Sequence, residues 1–375
     1  MATKRPRVLF AGGGTGGHLY PGLALARAFE ERKGGADVYF LGAKRGVEAR
    51  VLPDRGVRHT LLPFEPIRRS KVWQNWKLIP AMAGIGSGIG KIFDEFKPDL
   101  VVGTGGYASG PVVAYGILKG IPTAVQEQNS FPGITTRWLA SRVRQIHLAF
   151  PEALNHMKPG PRTEVFELGN PIQPPDHTID RRAARERFGL TDGPVVLVVG
   201  GSQGARAVNE ALLTDLARVA ESPASRPEGL QILWASGPSN HDGAAAELAR
   251  LQVTNWVRLE PYIGDMPMAL AAADIAVSRA GAMALAELCA WGIPSILVPF
   301  PHAAANHQYH NARALADAGA AVLIEEKDLQ PGKLWQEIVG LAGDESARAA
   351  LATKAQERGH PNAAREIVEQ LARLV

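Results

Sequence analysis

The stretch "RVLFAGGGTGGHLYPGLALARAFEE", Arg7 to Glu31, decides how the chain is read. Val8, Leu9 and Phe10 form the short apolar run of a buried strand. Five of the six residues from Gly12 to Gly17 are glycine, broken only by Thr15. Glycine lets a backbone turn tightly and approach a ligand closely. A helix beginning near Pro21 would aim its free N–H groups and positive dipole end at an anion. Gly12, Gly14 and Gly17 also fit the dinucleotide fingerprint G-x-G-x-x-G. A nicotinamide site needs an acidic residue at the end of the second strand to hold ribose hydroxyls. That strand reads "DVYFLG", Asp37 to Gly42; its acid stands at the wrong end and "GAKRG" follows. The stretch therefore argues for a phosphate cradle over a nicotinamide site.

A chain of 375 residues is expected to form two domains. Its 46% hydrophobic and 21% charged content is ordinary for a soluble protein. Cys289 is the one cysteine, which excludes a disulfide framework and a cysteine-based metal site. "MATKRPRVLF" runs straight into the first strand, so no signal peptide is expected. "LIPAMAGIGSGIG", Leu78 to Gly90, is too short and glycine-rich to span a bilayer. The net charge of +4 favours anionic partners without selecting one.

Apolar runs alternate with helical patterns along the whole chain. The first half carries "RVLFA", "DVYFLG", "VRHTLL", "DLVVG", "PTAVQEQ", "RQIHLAF" and "TEVFELG". The second carries "PVVLVVGG", "LQILWAS", "NWVRLEP", "DIAVS", "PSILVPF" and "AAVLI". Strands separated by helices imply parallel sheets covered on both faces. The expected architecture is α/β, two doubly wound, Rossmann-like parallel-sheet domains facing across a cleft. Expected boundaries are 1–168, 169–345 and a C-terminal helix within 346–375 that packs back on the first domain.

The second half opens as the first did, with "PVVLVVGGSQGARAVNEALL" again strand, glycine loop and helix. "VVGTGGYASGP" (Val101 to Pro111) is a third glycine loop, which brings Gly105, Gly106 and Tyr107 to the same cleft edge. "EQNSFPG" offers Asn129, an amide able to donate to and accept from sugar hydroxyls. "SRAGAMALAELCAWGIP" turns from strand to helix at Gly281, presenting the N–H groups of Ala282, Met283 and Ala284 to a diphosphate. Glu287, one turn on, is placed to grip two vicinal ribose hydroxyls. "PFPHAAANHQYHNARAL" adds Gln308 and His302, His307 and His310, with no second ligand motif to make a metal site. No D-x-D, no G-K-[ST] and no G-x-S-x-G occurs, which argues against a carboxylate-held divalent ion, an NTPase and an α/β-hydrolase.

Seven of these segments, "GGGTGGHLYPGLALA", "GTGGYASGP", "EQNSFPG", "GNPI", "GGSQGAR", "RAGAMALAEL" and "PHAAANHQYHNA", follow the order and spacing of the MurG family, and the chain resembles that family from Val8 to Ala321. The resemblance implies a GT-B enzyme of peptidoglycan synthesis, with roles in cell wall, cell shape and cell division. It would transfer GlcNAc from UDP-GlcNAc to lipid I with inversion, giving lipid II, without a cofactor or metal. Related GT-B transferases with another lipid or small-molecule acceptor, and a non-enzymatic nucleotide-sugar module, are the alternatives. By matching motifs, the implied donor contacts are Thr15, Gly16, Gly17, Asn129, Ser202, Ile263, Ala282, Met283, Ala284, Leu285, Ala286, Glu287 and Gln308. Gly13, Gly14, Gly105, Gly106 and Tyr107 would face the acceptor's pyrophosphate. His18 matches the family's histidine, and two roles stand open for it: catalytic base, or ligand of an acceptor phosphate. Two departures are visible. Gln173 stands where the family often has Arg, and a neutral amide cannot make a forked phosphate contact. Ala280 replaces a commoner Ser.

The implied partners are UDP-GlcNAc, lipid I and an anionic membrane surface, with no nucleic acid. The implied location is peripheral, on the cytoplasmic face of the plasma membrane. "PIRRSKVWQNWKLIPAMAGIG", Pro66 to Gly86, is the expected docking face: Arg68, Arg69, Lys71 and Lys77 attract anionic lipid, and Trp73 and Trp76 favour the headgroup region.

Overall fold

The computed structural model describes residues 5–64, 78–201 and 203–375, and for 78–83 the helical backbone path alone. Ser202 and most of the expected docking face, Pro66 to Lys77, therefore lie outside the described residues.

Each of the apolar runs forms a strand. The first seven make one sheet: β1 (Arg7–Ala11), β2 (Asp37–Ala43), β3 (His59–Leu62), β4 (Leu100–Gly103), β5 (Thr123–Glu127), β6 (Gln145–Leu148) and β7 (Glu164–Glu167). Its order is β3-β2-β1-β4-β5-β6-β7, and every pairing is parallel. The other six make a second parallel sheet in the order β10-β9-β8-β11-β12-β13. These are β8 (Val195–Val199), β9 (Gln231–Ala235), β10 (Val257–Glu260), β11 (Ile275–Ser278), β12 (Ser295–Leu297) and β13 (Val322–Leu323). The inner strands, such as β1, β4, β5, β8, β9 and β11, are buried on both faces, which is why they read as unbroken apolar runs, while the edge strands β3, β7, β10 and β13 are partly exposed.

Alternation still decides which face each side chain covers. In β1, Val8 and Phe10 join Phe29 and Phe40 on one side, while Leu9 and Ala11 join Val101 and Val112 on the other. The Phe10 and Phe40 rings stack 5.2 Å apart. Strand order reverses between β1 and β4 and again between β8 and β11. Ligands of open α/β sheets bind at the carboxyl ends of strands beside such reversals. The glycine loops at 12–17, 104–106, 200–204 and 279–281 all leave from those four strands.

The helix after the first loop, α1 (Gly16–Glu31), starts at Gly16 rather than near Pro21, which lies inside it. A proline ring crowds the carbonyl four residues back. Here that residue is Gly17, whose missing side chain leaves the backbone room to adjust. The helix thus opens directly out of the glycine run.

Two compact units emerge, Met1–Gln173 with Asn362–Val375, and Pro174–Pro361. The second runs to Pro361 rather than ending at 345, because α13 (Glu345–Glu357) packs on α10 (Ala282–Trp291). The last helix, α14 (Ala363–Leu371), belongs to the first unit. It buries Ala363, Ile367, Val368 and Leu371 in the same cluster as Leu19, Leu25 and Phe29 of α1. Ile367→Ala should cost about 2–4 kcal/mol in the unfolding of the first unit, the range for truncating a buried aliphatic side chain. Glu369→Ala, exposed on the same helix, should stay within about 0.5 kcal/mol. Urea unfolding followed by circular dichroism checks both; equal effects would mean that α14 does not hold the unit together.

Candidate active site

In the first unit the loops after β1, β4 and β5 interlock. Gly105 and Gly106 have φ of +94° and +76°, which only glycine adopts cheaply. A Cβ on Gly106 would overlap the Gly13 carbonyl oxygen, and one on Gly105 would lie 2.6 Å from His18 Cδ2. Tyr107 comes within 2.7 Å of where a Gly14 Cβ would stand. The expected acceptor-side residues, Gly13, Gly14, Gly105, Gly106 and Tyr107, are thus in mutual contact. Thr104, buried, donates its hydroxyl to the His18 carbonyl at 2.7 Å.

His18 Nδ1 lies 3.1 Å from Thr15 Oγ1. When Nδ1 carries the proton and donates to Thr15, Nε2 holds the lone pair, the form a general base requires. Thr15 is the N-cap of α1, so Gly16 and Gly17 carry first-turn N–H groups with no acceptor inside the helix. Gly14 differs: its N–H donates to the Glu48 carboxylate at 2.9 and 3.1 Å. That N–H is spent within the protein and cannot also serve a phosphate.

Asn129 is placed by a residue whose part the sequence did not reveal. The buried Glu127 carboxylate accepts from Asn129 N and Asn129 Nδ2, both at 3.2 Å, and from Gly133 N at 3.0 Å. Gln128 Nε2 donates to the Thr104 and Gln126 carbonyls at 3.0 and 2.9 Å and to Gln126 Oε1. Asn170 of "GNPI" donates to the Gln128 carbonyl at 3.1 Å and accepts from Gln126 Nε2 at 3.0 Å. One network therefore joins the ends of β4 and β5 to the segment just before Gln173, where the chain leaves the first unit.

In the second unit the loop after β8 closes on the loop after β9. Cβ atoms on Gly204 and Gly237, with φ of +76° and +87°, would overlap the Ser236 and Gln203 carbonyls. Gly281, the N-cap of α10, is different in kind: its φ is −69° and a Cβ there would meet nothing within 4 Å. The turn into α10 is thus open on that side. Met283 and Ala284 contribute N–H groups that have no acceptor within the helix. Leu285 is the first residue of the helix whose N–H has a partner inside it: it donates to the Gly281 carbonyl at 3.0 Å, and the side chain is buried. Ala286, a turn further in, is likewise within the regular helix ladder. Arg279 and Asn311 shape the turn. The Arg279 guanidinium donates to the Val298 and Pro299 carbonyls at 3.1 and 3.2 Å and pairs with Glu326 at 2.5 Å. Asn311 Nδ2 donates to the Ala280 carbonyl at 3.3 Å.

Burial pushes the Glu287 carboxyl up to about 7 from its ordinary 4.5. Gln308 Oε1 accepts from Phe300 N at 2.9 Å, which orients the amide. Ile263 is buried in the core, so only its main chain can line a base pocket. His302, His307 and His310 do not form a metal-ligating group among the described residues, and His307 Nδ1 bonds the Ala304 carbonyl at 2.8 Å. Burial pushes the Cys289 thiol up to about 12, which makes it a poor nucleophile.

Two doubly wound parallel sheets with glycine-framed helix starts beside each strand reversal have the GT-B fold, and the family match makes the chain a glycosyltransferase. Residues 8–148 match the glycosyltransferase family 28 N-terminal domain and 195–370 its C-terminal domain. The chain is 40% identical over 378 residues to the UDP-N-acetylglucosamine–N-acetylmuramyl-(pentapeptide) pyrophosphoryl-undecaprenol N-acetylglucosamine transferase of Moorella thermoacetica, covering 98% of this chain and 99% of that one. The enzyme of the same name from Chlorobaculum parvum is 39% identical over the same shares of both chains. The crystal structure of Acinetobacter baumannii MurG superposes with a TM-score of 0.77 at 28% identity, over 98% of this chain and 99% of that one. The chain belongs to the MurG family.

The raised Glu287 carboxyl has a consequence for stability. Its protonated form suits the fold better than the charged form, so the wild type loses stability as pH rises from about 4.5 to about 7. Glu287→Gln should therefore melt above the wild type at pH 8, by up to about 3 kcal/mol, with the gap vanishing near pH 4. Calorimetric melts across that range check it, and a gap independent of pH would contradict the assignment.

Proposed function

We propose that the chain transfers GlcNAc from UDP-GlcNAc to lipid I with inversion, forming lipid II. The observation that carries this is full-length relationship, at about 40% identity, to enzymes that bear that activity in their names. The geometry supports a division of labour. In the second unit, the open turn at Gly281 with Met283 and Ala284 would receive the diphosphate. Glu287 would accept from both ribose hydroxyls, and the main chain at Ile263 would meet the uracil. Ser202 would add a donor to the diphosphate, and Gln308 would contact the transferred sugar. In the first unit, the Gly16 and Gly17 N–H groups, which the resemblance gives to the donor, would instead hold the acceptor's pyrophosphate, since the Gly14 N–H is taken by Glu48. His18, in the tautomer whose Nδ1–H donates to Thr15, would take the proton of the attacking hydroxyl at Nε2. Backbone donors and the α10 helix dipole would stabilise the departing UDP.

Incubation with labelled UDP-GlcNAc and either lipid I or glycolipids lacking a pyrophosphate should give product with lipid I alone, undiminished by chelator. Glu287→Ala should weaken UDP binding by about 1–3 kcal/mol in calorimetry. Transfer to the other glycolipids would favour a related transferase, and UDP binding without turnover a non-enzymatic module.

A polyprenyl acceptor requires access to a bilayer surface. No helix among the described residues is long and apolar enough to cross a membrane. The reading is peripheral attachment to anionic lipid on the cytoplasmic face, through the first unit. Support comes from α5 (Ile134–Leu139), where Trp138 is 73% exposed and Ile134 44%, with Arg137 beside them over the Phe131 ring. The basic, tryptophan-bearing segment from Pro66 supplies the remaining charge. Co-sedimentation should show binding to anionic but not neutral vesicles, and the combined Arg68→Glu, Arg69→Glu, Lys71→Glu variant should lose it. A folded triple variant that binds as well as wild type would remove this face from consideration.

A further inference from the structure

Beneath the first loop lies a charged group that the roles above leave unused. Glu48, the first residue of α2 (Glu48–Asp54), is fully buried. Gly14 N–H donates to both its oxygens and Ala43 N–H to Oε1 at 2.9 Å. A Cβ on Gly13 or Gly46 would overlap the carboxylate, and one on Gly42 would lie 2.8 Å from Glu48 Cγ. Three glycines, one in the loop after β1, one near the end of β2 and one in the loop after it, therefore make room for one side chain. No cation pairs with Glu48 among the described residues, so backbone N–H groups alone compensate its charge. A buried carboxylate without a counter-ion is costly unless such donors are fixed around it. A hydrophobic side chain would fill the same space without that cost, but it could not accept from Gly14.

We propose that Glu48 is a positioning residue of the transfer reaction. By holding the Gly14 N–H inward, at φ +89°, it sets the direction in which the chain leaves for Thr15 and His18. Its charge also disfavours an anion at Gly13 and Gly14. The acceptor's pyrophosphate is thereby directed to the N–H groups of Gly16 and Gly17. This inference rests on the reading of the first loop as the pyrophosphate cradle.

Two measurements test it. In ¹⁵N-labelled wild type, inorganic pyrophosphate should move the Gly16 and Gly17 amide resonances and leave Gly14, already bonded to a carboxylate, in place. Movement of Gly14 as large as theirs overturns the proposal. Movement of none overturns the cradle reading and leaves Glu48 to be judged by kinetics. Glu48→Gln keeps the shape but sets an NH₂ against N–H donors, and Glu48→Asp keeps the charge but falls one methylene short. Both should lower kcat, about 10- to 100-fold for Glu48→Gln and less for Glu48→Asp, the scale of a small misplacement of reacting groups. KM for UDP-GlcNAc and UDP affinity should stay within about twofold, since the donor loops are untouched. Wild-type kcat in folded Glu48→Gln, or a parallel loss of UDP affinity, overturns the proposal. Because the amide measurement needs no variant, it decides even where a substitution fails to fold.

Discussion

The Gly13 carbonyl and the Gly106 backbone touch with no space for a methyl group between them. That contact exists because β1 and β4 are neighbours whose following helices leave in the two windings of the sheet. Two loops that would otherwise diverge are locked back to back, and the His18 ring is held against Gly105 as a result. The second unit uses the same device with different partners, Gly204 against the Ser236 carbonyl and Gly237 against that of Gln203. In both units, removing side chains brings backbone dipoles to fixed positions. Fixed dipoles need no reorganisation when charge develops near them.

Around these loops the buried charges are tied mainly to main-chain atoms. Glu48 accepts from two N–H groups, Glu127 accepts from two N–H groups and an amide, and Arg279 donates to two carbonyls. Such bonds are stronger in a low-dielectric interior than in water, and an unsatisfied member is correspondingly expensive. Each residue thus fixes a loop in one conformation. Glu287 is the exception: its burial raises the cost of its charge, and a ribose would supply the hydroxyl donors that offset it.

The strands and their parallel order were legible because burial on both faces leaves uninterrupted apolar runs, and the glycine loops because no other residue type tolerates those contacts. Three features were not legible. The start of α1 was hidden by Pro21, which ordinarily marks a first turn but here sits against Gly17. The role of Glu48 depends on a partner 34 residues away, and nothing in "GAKRGVEARV" singles that acid out from an exposed one. The limit of the second unit depends on α13 lying on α10, where Gly359 meets the Cys289 carbonyl, a contact with no local signature. Within the run Ala282 to Glu287 a motif does not distinguish Leu285, buried against the core, from Met283 and Ala284, whose N–H groups lie in the first turn.

The placement of α14 bears on how the chain acquires its structure during synthesis. The first unit is discontinuous, built from residues up to Gln173 and completed by Asn362–Val375. While a ribosome translates the intervening segment, the apolar side of α1 that receives Ile367, Val368 and Leu371 has no cover. The second unit has all its residues before the first does. Domains that emerge early usually fold early; here the order is reversed for completion, and the earliest strands wait on the latest helix. An exposed apolar groove during that interval is a surface on which chaperones or a neighbouring nascent chain can act.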